Sequence, residues 1–278
     1  KIMVVGHPNS GLEAVEGLLT AHGMVRAAPS RRDGLTPQQI TETLRQAHGC
    51  APLEALDAGS DLRQIAVGAV WNGMALDLML GNLDRPVWGW ADSQSIFVLD
   101  YWRDVDPAIQ FILVYDAPHT ALTRIAADEA AGVSAEDVAR RARQWSAYNA
   151  ALLHFFRRHP QRCQLVHAQQ VARAPEQLLQ LLRARNDAPC FARVECPSGS
   201  DTPRRVDAGA VNADEPALAE FLAQALLRQD TPSLHLFDEL QASASLPLAE
   251  SDEPDECDAL AAWLAMAGQQ RRLGTQAL

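Results

Sequence analysis

The sequence has almost no lysine. Lys1 is the single lysine among 278 residues, and arginine carries the remaining basic charge. A phosphate-binding loop of the Walker A type ends in a Gly-Lys pair followed by Ser or Thr, so this kind of nucleotide site is excluded. Acidic residues outnumber basic ones by 35 to 24, which gives a net charge of −11. This charge disfavours nucleic acid and anionic membranes as partners.

Long apolar runs and paired cysteines are also absent. No apolar stretch approaches the roughly 18 residues that a membrane span requires, and no basic segment precedes the first apolar run. We therefore expect no membrane span and no signal peptide. The 5 cysteines are widely spaced, without a C-x-x-C pair or a metal-ligand cluster, which predicts reduced thiols in a cytoplasmic protein and no metal site. They are Cys50, Cys163, Cys190, Cys196 and Cys257.

What is present is a globular composition, with 47% hydrophobic and 21% charged residues. Residues 1–5 form a short apolar run that is typical of a buried parallel strand. After a glycine-containing turn, apolar residues from Leu12 onward follow a helical period, and Gly23 marks the expected helix end. A strand, a glycine turn and a helix in succession direct backbone N–H groups at one spot. This arrangement favours anion binding.

Strand and helix patterns then alternate, which predicts an α/β fold with a three-layer, mainly parallel sheet. Thr36 is the expected N-cap of a helix through Ala47, with Pro37 at its first position. Residues 70–83 are expected to form a buried helix whose methionines fill the core. Residues 1–195 are assigned to the α/β core and 196–278 to a helical C-terminal region packed on it. Further strands are expected at 87–90, 111–115 and 164–167, and further helices at 95–105, 120 onward, 176–185, 217–228, 234–244 and 259–272.

The turn after the first strand resembles a phosphate loop of sulfotransferases. In that family a loop of the form G-x-P-R-S-G-T-[ST] holds the 5′ end of the activated-sulfate donor PAPS, and residues 6–13 here read GHPNSGLE. The glycines, the proline and the serine are kept. Asn9 replaces the arginine, and Leu12 and Glu13 replace the two hydroxyl residues. The resemblance implies a phosphate-loop remnant, the expected cofactor-binding residues being Gly6, Pro8, Asn9, Ser10, Gly11 and Leu12.

Two further stretches resemble motifs of the bacterial sulfotransferase family in the same order. Residues 88–94 (WGWADSQ) are similar to its W-G-x-K-D-P-R stretch, and 111–118 (FILVYDAP) to the strand that ends in Y-R-D-P. Residues 145–171 are similar to the family's W-x-x-Y-N helix and the strand that follows. The resemblance implies a sulfotransferase-like fold with PAPS as sulfate donor. It also places Asp116 and Arg124 at the arginine and serine positions of the 3′-phosphate site.

The cations that such a site needs are missing. Transfer of SO3 depends on positioning and on neutralising negative charge, so cations must surround the donor. Ala91 and Gln94 replace the lysine and arginine of K-D-P-R, and Asp116 replaces the 3′-phosphate arginine. Gln169 and Gln170 replace the carboxylates that usually follow the last strand. Since the losses fall on the charged groups while the apolar frame is kept, we interpret the donor site as dismantled.

Few other residues are candidates for chemistry. His7 is the candidate catalytic base, but a lone histidine in a turn is more often a capping or surface residue. His167, at a strand end, is expected to be a satisfied residue at the edge of the core. Trp88, Trp90 and Trp102 are expected in the core, unless one of them faces the cleft and stacks on a sugar or a base.

Three functions remain open at this stage. The first is a non-catalytic binding or scaffolding module without a cofactor, with a protein or glycan partner and a link to surface polysaccharide biosynthesis. The second is an active sulfotransferase with a rebuilt donor site, transferring sulfate from PAPS to a carbohydrate or another hydroxyl acceptor. The third is a transferase or hydrolase that binds a less anionic ligand in the same cleft. The sequence identifies neither the acceptor nor the oligomeric state.

Overall fold

The computed structural model contains a five-stranded sheet in which all neighbouring strands are parallel, in the order β2-β3-β1-β4-β5. It describes residues 1–8, 10–53, 62, 64–120, 135–185, 223 and 230–249. The four expected strands are present, with bounds within one residue of the expected ones, which confirms the α/β class. The short strand β2 was not expected. The strands are β1 (Ile2–Gly6), β2 (Val25–Arg26), β3 (Trp88–Ala91), β4 (Gln110–Tyr115) and β5 (Cys163–His167).

The central strand, β1, is covered on both faces of the sheet. It lies between β3 and β4, and Val4 pairs with Ile112 in β4. Alternate side chains point to opposite sides: Met3 and Val5 join one apolar cluster, whereas Ile2 and Val4 join the other. Because both faces are buried, the strand reads as a continuous apolar run in the sequence.

Helices on both faces complete the three layers. The described helices are α1 (Leu12–Ala21), α2 (Pro37–Ala47), α3 (Asn72–Gly81), α4 (Leu99–Val105), α5 (Ala135–Arg158), α6 (Ala168–Arg173), α7 (Pro175–Arg185) and α8 (Thr231–Ser243), with 3-10 helices at Ala69–Trp71 and Gln94–Val98. Side chains of α1, α6 and α7 belong to the cluster on one face. Side chains of α2 to α5 and of α8 belong to the cluster on the other face.

The start of α2 follows the sequence signals closely. The Thr36 hydroxyl accepts a hydrogen bond from Gln39 N at 3.2 Å, and the Gln39 side chain accepts one from Thr36 N at 2.8 Å. Pro37 occupies the first turn, where its missing N–H leaves no hydrogen bond unmade. The reciprocal pair satisfies two of the orphan donors at the helix N-terminus. Ile40 and Leu44 then enter the core.

The expected burial of the 70–83 helix is wrong. The helix α3 forms, but only Ala75 and Leu78 of it are buried. Val70 is 85% exposed, and Leu76, Leu80 and Leu83 are 54%, 56% and 75% exposed. The segment is apolar around most of its circumference, so its periodicity could not indicate which side faces the core. The expected helix at 95–105 also differs, since its first part is the 3-10 turn before α4.

The C-terminal residues that the structure describes pack on the edge of the sheet at β5. The helix α8 lies against α5, and Ser245 N and Leu246 N both donate to Leu165 O, while His167 N donates to Leu246 O. The helix at 259–272, the one at 217–228 apart from Ala223, and the helix after 120 lie outside the described residues. The division at residue 195 stays a prediction. None of the described helices is long and apolar enough to span a membrane.

Candidate functional site at the carboxyl edge of the sheet

The carboxyl ends of the five parallel strands meet at one edge, which we call the carboxyl edge. After β1 the chain passes through α1 to β2, at one end of the strand order. After β4 it passes to β5, at the other end. The neighbours β1 and β4 therefore form a topological switch point, where parallel sheets usually bind their ligands. The residues of interest here are His7, Ser10, Asp92, Asp116 and His167.

Two glycines shape the loop between β1 and α1. A Cβ on Gly6 would lie 2.4 Å from Ser10 Oγ and 2.7 Å from Val114 O, so only glycine fits beside β4. Gly11 has a φ of 77°, in the left-handed region that glycine adopts without strain. Between them, Ser10 N donates to His7 O at 2.8 Å and closes the turn. The glycine positions in the loop are thus explained by local geometry, whether or not a ligand binds.

The loop leaves donors that could hold an anion. Gly11 is the N-cap residue of α1 and provides no side-chain cap for its first N–H groups. The Ser10 hydroxyl is 3% exposed and finds no hydrogen-bond partner among the described residues. Leu12, however, is buried in the apolar cluster beneath α1, so its side chain takes no part in such a site.

His7 is buried, which contradicts its interpretation as a capping or surface residue. It is 9% exposed, and its ring contacts Tyr148 edge-on, with centroids 5.5 Å apart. Burial, followed by the charge of Arg141, lowers the pKa of His7 to about 4. The imidazole is therefore neutral near pH 7 and is too weak a base to be matched to that pH.

Asp92 follows β3 and is held by a set of hydrogen bonds. Its carboxylate accepts from Gln94 N at 3.0 Å and from Ser95 Oγ at 2.6 Å, and Thr41 Oγ1 lies 3.2 Å from Ser95 Oγ. Burial raises the pKa of Asp92 to about 6, although these donors act in the opposite sense. Asp92 belongs to the motif at 88–94, but that motif does not indicate this structural role. The only sequence signal for it is the Asp-x-x-Ser spacing of Asp92 and Ser95.

His167 caps the helix α6, but it is not the satisfied residue that the sequence predicted, because its Nε2 makes no hydrogen bond among the described residues. Its side chain is fully buried, and Nδ1 accepts a hydrogen bond from Gln169 N at 3.2 Å. Since Nδ1 accepts, the neutral ring carries its hydrogen on Nε2, which lies 3.6 Å from Asp116 Oδ1. Burial, His119 and Arg173 lower the pKa of His167 to about 4. Asp116 would favour the charged ring, but a second proton would also break the bond from Gln169, so we assign the neutral form.

Of the two glutamines that stand where the resembling motif has carboxylates, Gln170 has a structural role. Gln170 Nε2 donates to Gln177 Oε1 at 3.0 Å, and Gln170 Oε1 accepts from Ala249 N at 3.1 Å. An amide can donate and accept at once, which an ionised carboxylate cannot do. Gln170 thereby ties α6 to α7 and to the C-terminal segment.

The sequence-predicted site residues are only partly brought together. Gly6, Pro8, Ser10 and Gly11 form the loop after β1, and Asp116 follows the adjacent strand β4. Asn9 and Arg124 lie outside the described residues. Trp88, Trp90 and Trp102 are at most 2% exposed, so none of them faces a cleft.

Two cations near this edge were not singled out from the sequence. Arg141 and Arg173 are close enough for their charges to lower the pKa values of His7 and His167. The only sequence signal for Arg141 was the basic run that precedes Trp145 on α5. Among the described residues, no group of three or more His, Cys, Asp or Glu side chains could hold a metal ion.

Comparison with known proteins gives one distant structural similarity. No protein-family model matches the chain, and no curated protein matches it. Among solved structures, a "Sulfotransferase Domain from the Curacin Biosynthetic Pathway" is similar over 88% of this chain and 98% of that chain. The TM-score is 0.45 and the sequence identity 14%. A similarity at this level assigns no activity and no residue roles to the chain.

Proposed function

We propose that this chain is a non-catalytic binding or scaffolding module, built on a sulfotransferase-like α/β scaffold that no longer holds PAPS. The observation that carries the proposal is the charge at the switch point. The Asp116 carboxylate follows β4 where the resemblance calls for an arginine. His167, 3.6 Å from it, and His7, which follows the neighbouring strand β1, are kept neutral by burial. A donor with several phosphate charges meets a carboxylate there.

The size of the loss supports the proposal. Micromolar binding corresponds to about −8 kcal/mol. Each charge-assisted hydrogen bond to phosphate contributes about 1.5 to 3 kcal/mol, so removing three of them eliminates most of that affinity. The loop N–H groups and Ser10 remain, and they suffice for a weak anion site at most.

The module would act through a protein or glycan partner. Its place in surface polysaccharide biosynthesis is part of the same hypothesis and rests only on the family resemblance. The net charge of −11 favours a partner that is neutral or basic.

Arg141 and Arg173 favour the alternative, an active sulfotransferase with a rebuilt donor site. Both are near enough to the carboxyl edge to affect its histidines, and neither occupies a position that the family motifs use. Two arginines could replace part of the lost charge, and the acceptor would then be a carbohydrate or another hydroxyl compound.

Titration calorimetry with PAP, the product of PAPS, distinguishes the two functions. The titration is done at low salt, because electrostatic binding is strongest there and any remaining affinity for PAP is easiest to detect. We expect no binding tighter than about a millimolar dissociation constant. A low-micromolar constant that weakens in Arg141→Ala would establish the alternative. Arg157→Ala is the matched control, since Arg157 is on the same helix but pairs with Glu239, with both side chains 54% exposed.

A further inference from the structure

The surface around α3 carries an exposed apolar face that the proposed function does not use. We call it the α3 face and define it by Val70, Gly73, Leu76, Leu80 and Leu83. Each of the four large side chains has more than half of its surface exposed. Leu76 and Leu80 lie one turn apart on α3, so they share one face of the helix, and Leu83 follows in the turn after it. Monomers seldom leave such a row of large apolar side chains in water.

The sequence around the α3 face is almost free of charge. Between Ala66 and Leu83 the single ionisable residue is Asp77. Its carboxylate is already used, since it accepts a hydrogen bond from Arg32 N at 2.8 Å. In the whole chain, by contrast, 21% of residues are charged. A long segment without charge is what the buried centre of an interface requires.

Two of the three glycines in this segment, Gly68 and Gly73, have no packing role inside the chain, whereas Gly81 lies close to the backbone of Pro29. A Cβ on Gly73 or on Gly68 would meet nothing within 4 Å, and neither residue has a positive φ. Glycine in a helix is less favourable than alanine by roughly 1 kcal/mol. Gly73 therefore lowers the stability of α3 without any internal benefit. A small residue on an exposed apolar stripe does allow a second helix to approach closely.

The stripe is complementary to itself. If two copies of α3 pack antiparallel about a two-fold axis near Leu78, Leu76 of each copy faces Leu80 of the other. Gly73 of each copy then comes near the turn that carries Leu83 in the other, so an open position lies at both ends of the contact. The four large side chains leave on the order of several hundred Å² exposed, a substantial part of the roughly 800 Å² that each subunit contributes to a standard interface. We propose that the α3 face is the interface of a symmetric homodimer of this chain.

Charge makes the proposal distinguishable from a salt-bridged association. Two chains of net charge −11 repel each other, and the α3 face itself offers no ion pairs. Added salt screens the repulsion and leaves the apolar contact intact. The dimer should therefore tighten as the salt concentration rises, whereas a complex held by opposite charges would weaken.

Sedimentation velocity on the full chain, from about 1 to 100 µM, tests the proposal. We expect the wild-type chain to form a dimer. In Leu80→Glu the dissociation constant of this dimer should rise by roughly 100-fold or more, because the two-fold axis places the substituted side chain in the interface twice. Val25→Glu is the matched control: Val25 is also an exposed apolar residue, on β2 rather than on the α3 face, and its variant should remain dimeric. A chain that stays monomeric throughout overturns the proposal. So does a dimer that persists in Leu80→Glu or is lost equally in Val25→Glu.

Gly73→Gln provides a second test that does not depend on the folding of Leu80→Glu. The substitution replaces glycine by a better helix former in open space, so the thermal midpoint of the dilute, monomeric chain should rise by a few degrees, roughly. The same side chain blocks the close approach of the second copy at this end of α3, so dimerisation should weaken. A variant with a raised midpoint and unchanged dimerisation would contradict the proposed packing. If the face binds another protein instead, the purified chain will sediment as a monomer, and the proposal fails.

Discussion

The two edges of the sheet differ in how their titratable side chains are held. At the amino edge, where the strands begin, charged side chains are paired with one another or with backbone carbonyls. Lys1 pairs with Asp106, and Arg162 donates to the carbonyls of Ile109, Arg103 and Asp106. At the carboxyl edge, buried histidines are neutral.

The amino edge shows how firmly this fold holds an arginine at the start of a strand. Arg162 is held there by four hydrogen bonds at 2.7 to 3.1 Å, and its guanidinium also lies over the Phe111 ring.

The largest expected effect comes from removing the best-bonded cation of the amino edge. Arg162→Met keeps an apolar stem over Phe111 but leaves three carbonyls without their donor. Charge-assisted bonds of this kind contribute 1.5 to 3 kcal/mol each, so we expect the free energy of unfolding to fall by about 4 kcal/mol. Urea unfolding measures it. Arg157→Ala, which removes only an exposed ion pair, should change the same quantity by less than about 0.5 kcal/mol.

The close approach of Gly6 to the backbone of β4 distinguishes the carboxyl edge. Gly6→Ala places a Cβ 2.7 Å from Val114 O, a backbone atom that cannot move aside alone. We expect a loss of about 3 kcal/mol in the free energy of unfolding, because β1 and β4 must separate. Gly17→Ala is the control within α1, since a Cβ there meets nothing within 4 Å and should stabilise the helix by up to about 1 kcal/mol. Equal effects at both glycines would show that the loop is not tightly packed against β4.

The neutral histidines make the carboxyl edge sensitive to acid. A folded pKa near 4 lies below the unfolded value of 6.5, so the stabilisation is complete above pH 6.5 and is lost as the pH falls through 4. For His167 this amounts to about 2 kcal/mol between pH 7 and pH 5. Asp92 opposes the trend: with a folded pKa raised to about 6, its stabilisation is complete below pH 3.8 and disappears as the pH rises through 6.

The variant that tests this is His167→Asn, because asparagine can still cap α6 without titrating. Between pH 7 and pH 5 it should lose about 2 kcal/mol less stability than the wild type in urea unfolding. His154→Asn, at an exposed position on α5, is the matched control for replacing a histidine by asparagine. If the His167 variant keeps the full acid dependence, His167 is not the group that is held neutral.

The sheet could be predicted because its strands are short, fully apolar and separated by clear turn and capping residues. The strands that contain Val4 and Ile112 are covered on both faces of the sheet, so each of them is an unbroken apolar run in the sequence. The burial of α3 could not be predicted in this way. Leu76 and Leu78 are equally apolar, and only the position of neighbouring helices decides that one is exposed and the other buried.

The candidate site was predictable where one residue's conformation fixes it, and not where distant segments meet. Gly6 and Gly11 followed from the turn pattern. The contact of Tyr148 with His7 depends on how α5 crosses the sheet, and 141 residues separate the two in sequence. The pairing of Gln170 with Ala249 is a similar long-range contact, which no local pattern indicates.

The smallest expected effect concerns the unpartnered hydroxyl of Ser10. With no hydrogen-bond partner among the described residues, its replacement in Ser10→Ala removes a buried polar group that has nothing to bind. The free energy of unfolding should therefore stay within about 0.5 kcal/mol of the wild type or rise slightly. If the carboxyl edge has retained an anion site, the same variant should reduce the stabilisation that added inorganic phosphate gives the wild type. An unchanged stability together with no response to phosphate in either protein fits a dismantled site. A loss well above 1 kcal/mol in phosphate-free buffer would instead mean that the Ser10 hydroxyl holds the loop together, and the two edges would then differ less than their charges indicate.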